Sequence, residues 1–341
     1  MRKNHSIWIP IFLHTFISSS SSMSMSMAIA ITSNSIQHSN SEMPYIWSDQ
    51  HDAIERCIVP MSSTSHKGSS GRIGVLGGSA RYTGAPYYAA MASLKAGADL
   101  AFVFCAEEAA IPIKCYSPEL MVAPVYQAHE FDHASSFGSV EEQTKLVENM
   151  VSEVVELFPR MHVLIIGPGL GRCPLVMKAT AKIILIAKER NLPLVIDADG
   201  LFLLSQEPNL LDDYDRVVIT PNAIELKRLQ DFKNDQTIIV EKGKEDIIFN
   251  QNKRMICKEE GGMKRSGGIG DILSGIMGTF VAWHFILQKN DNDFILSCWS
   301  ACCLTKRATK QAFEKKKRSM TAPDILNEIG DVFDDMVELK G

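Results

Sequence analysis

Two rhythms alternate along this chain. Short continuous apolar runs, the mark of strands buried on both faces, are separated by stretches in which apolar residues recur every three or four positions, the mark of amphipathic helices. The runs are Arg72–Leu76, Asp99–Phe104, His162–Ile166, Pro193–Ile196, Arg216–Ile219 and Thr237–Val240. The helical stretches are Tyr87–Gly97, Glu141–Leu157, Leu175–Arg190, two that open at Leu201 and Asn222, and the late segments Phe294–Phe313 and Ala322–Met336. Strand, loop and helix in repetition build a parallel sheet, so the pattern predicts an α/β fold. Asp246–Phe249 and Arg254–Cys257 read as a hairpin around Asn250–Lys253. The polar segment Glu130–Gly138 is expected to be a surface loop. Tyr116–Leu120 is expected to be irregular, as a turn or as a loop near a ligand.

One stretch departs from both rhythms. Gly261–Phe280 opens as a glycine-dense loop and passes at Asp271 into a run with Ile272, Leu273, Ile276, Met277 and Phe280 at helical spacing. Glycines let successive backbone N–H groups converge, and a helix start adds partial positive charge, so such a junction suits a transferring phosphoryl group. Asp271 would stand beside that anion. A carboxylate at this place also has a plainer reading, as a cap for free helix N–H groups.

Other candidates sit at predicted strand ends, where open α/β sheets bind ligands. Gly167-Pro168-Gly169-Leu170-Gly171-Arg172 reads as a pocket wall. Asp197 and Asp199 can orient a metal or a substrate hydroxyl, or one of them can cap the next helix. Asn222 and Glu225 share the spacing of a capping box and that of a pair reaching a metal-bound water or phosphate. Lys242 and Gly243 can hold a nucleotide or turn a solvated hairpin, and Tyr82–Pro86 lines a pocket or merely turns the chain. Gly74, Gly77 and Gly78 do not form the G-x-G-x-x-G of a dinucleotide finger.

Composition adds bounds. With 341 residues, 45% of them hydrophobic, the chain can bury a full core. A net charge of −5 and a pI near 6.0 give no basic footprint for nucleic acid. The eight cysteines show no Cys-x-x-Cys pair and are expected as reduced, mostly buried thiols. Residues 1–45 read as a disordered targeting leader, with Arg2 and Lys3, no acid before Glu42 and a Ser/Met tract. Such a leader fits an organelle, mitochondrion or chloroplast, better than secretion. Residues 46–341 then form one domain, with no stretch expected to span a membrane. The basic run Lys315–Arg318 reads as a solvated helix end.

Taken together, and in this order, the motifs resemble the ATP- or ADP-dependent NAD(P)H-hydrate dehydratases. The resemblance rests on Lys67-Gly68 with Gly71–Val75, Tyr82–Pro86, Tyr116–Glu119, Gly167–Arg172, Asp197–Gly200, Thr220-Pro221-Asn222 with Glu225, Lys242-Gly243 with Asp246, and Gly267–Asp271. It implies a ribokinase-like three-layer fold, a mostly parallel central sheet flanked by helices. It also implies ATP-dependent dehydration of the S epimer of NADHX or NADPHX to NADH or NADPH, with ATP and Mg²⁺ as cofactors. Those hydrates would be its small-molecule partners, alongside a possible homo-oligomer and no nucleic acid or membrane. Asp271 looks like the base that deprotonates the hydrate hydroxyl. Gly169 and the stretch Asn222, Ala223, Ile224, Glu225, Leu226, Lys227 and Arg228 match hydrate-binding positions, and Asp271 touches the hydrate too. Lys242, Gly243, Lys244, Glu245 and Asp246, with Gly261, Gly262, Gly267, Gly268, Ile269 and Gly270, match the nucleotide segments. Asn222 and Glu225 would organise Mg²⁺ through water, which lifts their functional reading above the capping box.

Two departures stand out. Ile269 and Ser266 replace the Gln and Cys of most relatives, which a backbone anion hole tolerates. The link Leu229–Gln236 is shorter than the family's helical insertion, so either the flanking strands shift or a helix covering the sheet is lost. Another ribokinase-like small-molecule kinase and a non-catalytic nucleotide-binding isoform are the competing readings.

Overall fold

In the computed structural model, which describes residues 55–289 and 291–337, nine strands form one sheet in the order β3-β2-β1-β4-β5-β6-β7-β8-β9. They are β1 (Arg72–Leu76), β2 (Leu100–Ala106), β3 (Met121–Tyr126), β4 (Val163–Ile166), β5 (Leu194–Ile196), β6 (Val217–Ile219), β7 (Ile238–Glu241), β8 (Asp246–Phe249) and β9 (Arg254–Cys257). The first seven are parallel, while β8 and β9 add antiparallel to β7 as the expected hairpin. β1, β4, β5 and β6 are buried on both faces along nearly their whole length, as their continuous apolar runs require. The chain lays down β1 to β3 in one direction and β4 onward in the other. The order therefore reverses between β1 and β4, which opens a crevice beyond their carboxyl ends.

The helices are α1 (Gly84–Lys95), α2 (Glu107–Tyr116), α3 (Ala128–Phe137), α4 (Val140–Val155), α5 (Pro174–Glu189), α6 (Asp199–Gln206), α7 (Ala223–Arg228), α8 (Ile269–Ile286), α9 (Asp291–Lys316) and α10 (Ala322–Val337). One group, α1, α8, α9 and α10, packs together, with α8 seated on β1, β4 and β5; α3, α4 and α5 form another. Two glycines bring α8 close. A side chain at Gly275 would fall 2.0 Å from the carbonyl oxygen of Ala89 on α1, and one at Gly278 would meet Ile165 of β4 at 2.7 Å. Helix and sheet touch backbone to side chain there, and any larger residue would prise them apart.

Several expectations change. Glu130–Gly138 is mostly helix, not loop: Ala128, Phe131 and Ala134 make a narrow buried stripe, and the Glu108 carboxylate accepts from the N–H groups of Ala128 and His129 at 3.0 and 3.2 Å. α2 and β3 were not foreseen, because Pro112 interrupts the helical pattern and Pro124 the strand pattern. Pro124 is tolerated since β3 is the sheet edge. α8 is long and apolar enough to cross a membrane, with a mean hydropathy of 1.4 over 18 residues, contrary to the expectation for the chain. It is a core helix instead, buried continuously from Ile272 to His284.

The short link does not displace its strands. β6 and β7 pair in parallel, Val218 with Ile238 and Ile219 with Ile239. Phe232 packs on the core, and Asn234 Nδ2 donates to the carbonyls of Leu211 (2.6 Å) and Tyr214 (2.8 Å), which turns the chain into β7. The expected cysteine state holds: all eight are free, six of them buried. Lys315 and Lys316 pair with Glu328 and Asp324 of α10. The expected leader, residues 1–45, lies outside the described residues.

Candidate active site

Loops after β1 and β4 meet at the crevice. The Gly78 N–H donates to the Pro168 carbonyl at 3.1 Å, and Gly169 (φ 63°) lies so close to Tyr82 that a side chain there would approach its Cβ to 2.9 Å. Beyond them opens a cavity of about 650 Å³ whose lining includes Ser79, Tyr82, Tyr126, Gly171, Arg172 and Asp199. Tyr82 therefore lines a pocket, and Thr83, whose hydroxyl lies 2.9 Å from that of Tyr116, turns the chain into α1.

A second cluster lies at the start of α8. Gly268 is the residue before the helix, at φ 92°, with its missing side chain 2.7 Å from Ala322 and 3.0 Å from the Tyr88 ring. That turn needs glycine for its dihedral and for its contacts. Ile269, Gly270 and Asp271 follow as the first three helical residues, so their N–H groups are ones no helical carbonyl can satisfy. The residue at the cap position, Gly268, has no side chain to offer, and the Asp271 carboxylate accepts from its own backbone N–H in the first turn, so the capping reading holds in part.

The carboxyl of Asp271 is also held neutral-prone. Burial and the neighbouring Asp197 push it from its usual 3.8 to about 7, against the pull of Lys242. Asp197, 2% exposed at the end of β5, accepts from Lys242 Nζ at 2.7 Å and from the Ser274 hydroxyl at 2.5 Å. Burial lowers the proton affinity of Lys242, but Asp197, Glu225 and Asp271 together more than restore it, so it stays a cation. Glu225 Oε2 lies 3.9 Å from the same ammonium. One lysine is thus shared by three acids, and the least compensated of them is Asp271.

Asp197 and Asp199 divide their work. Asp199 accepts from the Gly171 N–H and from Arg172 Nε, both at 2.9 Å, at the wall of the cavity. Ala198 between them adopts φ 49°, ψ −116°, a strained conformation for a residue with a side chain. Neither aspartate caps α6, which starts at Asp199 itself, so that alternative fails.

Asn222 and Glu225 do form the capping box: Asn222 Oδ1 accepts from the N–H groups of Ile224 and Glu225, and Glu225 Oε2 from that of Asn222. Asn222 also bridges to Lys242 in parallel, with the Lys242 N–H donating to Pro221 O at 2.8 Å, which ties α7 to the base cluster. Asn222, Ala223, Ile224, Lys227 and Arg228 are exposed, Leu226 half-buried. Glu225 and Arg228 also line a narrow niche of about 20 Å³ with Arg172, Ala198 and Phe202.

Two of the segments matched to nucleotide binding, Lys242–Asp246 and Gly261-Gly262, come together on α9 around one lysine. The Gly243 N–H donates to Asp246 Oδ1 (2.9 Å), while Lys306 of α9 donates to the carbonyls of Gly243 and Lys244 (2.8 and 2.9 Å) and pairs with Asp246 at 3.2 Å. Lys244 and Glu245 form the exposed tip of that turn. Gly261 rests against Lys306, and Gly262 packs where a side chain would strike Phe313 and Thr309 O at 2.7 Å. Gly267 is open, with nothing within 4 Å of its absent Cβ. Gly261 and Gly262 are thus seats against α9, and only Gly267–Gly270 adjoin the base. Lys306, Ser274 and Tyr88 escaped sequence reasoning. Ser274 carried a signal, since it lies one turn after Asp271 on the same helical face.

Comparison with known proteins identifies the family. Residues 73–331 match the family described as NAD(P)H-hydrate dehydratase. The chain is 40% identical over 309 residues to the human ATP-dependent (S)-NAD(P)H-hydrate dehydratase, covering 84% of each. It is 38% identical to the Aedes aegypti protein of the same name, over 97% of this chain and 96% of that one. Among solved structures, a ribokinase-like superfamily protein from Enterococcus faecalis superposes with a TM-score of 0.63 at 24% identity, over 84% of this chain and 95% of that one. The ADP/ATP-dependent NAD(P)H-hydrate dehydratase from Bacillus subtilis, co-crystallised with ATP/Mg²⁺, gives 0.59 at 20%, over 86% and 98%. These likenesses confirm the ribokinase-like fold, and the sequence matches carry the rest: the chain belongs to the NAD(P)H-hydrate dehydratase family.

Proposed function

We propose that this protein uses ATP to dehydrate the S form of hydrated NADH or NADPH, returning the working cofactor. The observation that carries the reading is Asp271, a carboxylate poised at about 7 on the first turn of a glycine-led helix. A general base works best when its pKa lies near the operating pH. Asp271 takes the proton of the hydrate hydroxyl, and the freed oxygen attacks the γ-phosphorus of ATP, with ADP leaving. The phosphorylated oxygen then departs as phosphate with the electrons of its C–O bond. Loss of a neighbouring ring proton restores the double bond. The open N–H groups at Ile269 and Gly270 are suited to stabilise charge on the moving phosphoryl group.

Mg²⁺ fits this site only in part. Among the described residues no three of His, Cys, Asp and Glu are grouped so that they could hold a metal ion by themselves. Both oxygens of Asp197 are engaged, and Glu225 Oε2 serves the capping box. Such residues suit an ion held mainly by nucleotide phosphates and water, with Glu225 and Asn222 as its outer partners. When bound it would neutralise phosphate charge. The leader's composition supports delivery to an organelle, which a reporter fused to residues 1–45 tests.

Purified protein with ATP, Mg²⁺ and NADHX should regenerate NADH absorbance. Folded protein that binds ATP yet makes no NADH would overturn the reading and favour a non-catalytic nucleotide-binding role.

A further inference from the structure

The large cavity beyond β1 and β4 and the narrow niche beside α6 and α7 are lined in common by one side chain, Arg172. Its guanidinium is fixed on two sides. Nε donates to Asp199 at 2.9 Å, and the guanidinium carbon lies 4.4 Å from the centre of the Phe202 ring. Asp199 is itself anchored by the Gly171 N–H, so the pair is braced by backbone. The side chain is nevertheless 52% exposed, and among the described residues nothing accepts from its two terminal amino groups. A planar fork held by its inner edge and one face, with its outer edge open, is pre-organised for two phosphate oxygens. Arg228 at the end of α7 brings a second guanidinium to the same niche.

The niche is too narrow to swallow a ligand, so an anion would lie across its mouth, between the cavity and α7. We infer that Arg172, with Arg228, grips the diphosphate bridge of the dinucleotide hydrate and so selects dinucleotides over mononucleotides. This rests on the function proposed above. Asp199 and Phe202 act through Arg172, as positioning residues.

The test compares NADHX with the hydrate of reduced nicotinamide mononucleotide, which lacks the diphosphate. In Arg172→Gln, KM for NADHX should rise about 10- to 100-fold, the scale of a lost charge-assisted fork, with the effect on KM rather than kcat. KM for ATP and for the mononucleotide hydrate should change less than about twofold. Arg172→Lys should fall between, because it keeps the charge and loses the fork. An unchanged KM for NADHX, or an equal rise for both hydrates with a lowered melting temperature, would overturn the inference. Calorimetric binding of the two hydrates reads the same difference without turnover. Wild-type protein that prefers the dinucleotide through Arg172 yet forms no NADH would sink the dehydratase reading alone.

Discussion

Replacing Asp271 by Asn should make the protein more stable while disabling it. The carboxyl moves from 3.8 unfolded to about 7 folded, chiefly by desolvation. The folded state therefore holds the proton more tightly than the unfolded one. Stabilisation from the protonated form is complete below the unfolded value and is lost as pH rises through the folded one. Three units correspond to roughly 4 kcal/mol, and to about half of that once water reaching a partly exposed carboxylate is counted. Asn keeps the shape and never ionises, so it escapes the loss. Urea unfolding should show Asp271→Asn ahead by about 2–4 kcal/mol at about pH 8, with the lead shrinking steadily towards about pH 5. Turnover of NADHX should fall about 10²–10⁴-fold, with ATP affinity largely kept. A variant no more stable than wild type at the higher pH, or a lead independent of pH, would refute the desolvated base. Unchanged turnover would remove Asp271 from the chemistry.

Three further outcomes follow from the same cluster and its supports. kcat/KM for NADHX should drop about tenfold per pH unit below about 7, as Asp271 takes up its proton; a flat acid limb in stopped assays would show another base at work. Lys242→Met strands the buried carboxylate of Asp197 and should cost about 3–5 kcal/mol in urea melts, with Asp197→Asn added in the same chain recovering part of it. Asn234→Ala leaves the carbonyls of Leu211 and Tyr214 without a donor and should cost about 1–3 kcal/mol; a melt at the wild-type midpoint would show that the link is not held by this side chain.

What the sequence made legible was whatever obeyed a local period. The six buried parallel runs and the hairpin could be read because β-type runs of Val and Ile between glycines have few other uses. α3 could not, since its stripe of Ala128, Phe131 and Ala134 is thin and its start is capped by Glu108 from twenty residues earlier. At the site, Asp271 and the glycines before it were visible because loop and helix signals collide there. The Asp197–Lys242–Ser274 network was not, because those residues lie far apart in the chain and meet only when β5, β7 and α8 are assembled. The capping box of Asn222 and Glu225 shows the reverse case. A local rule was right about the contacts, and the proximity of Glu225 to Lys242 is a further contact that spacing alone does not reveal.

α8 has a consequence for how the protein is made. Its apolar length, buried in the folded protein, is open to capture by a membrane or by another chain while the chain is unfolded. It lies at residues 269–286, so by the time it leaves the ribosome β1, β4, β5 and α1, the surfaces it packs against, have already been synthesised. Domains tend to fold from the N-terminal side during synthesis, which lets that half-built groove receive the helix as it emerges. Only α9 and α10 remain to close over its outer side. The order of elements along the chain thus acts as a safeguard, keeping this apolar helix for the moment when its seat exists.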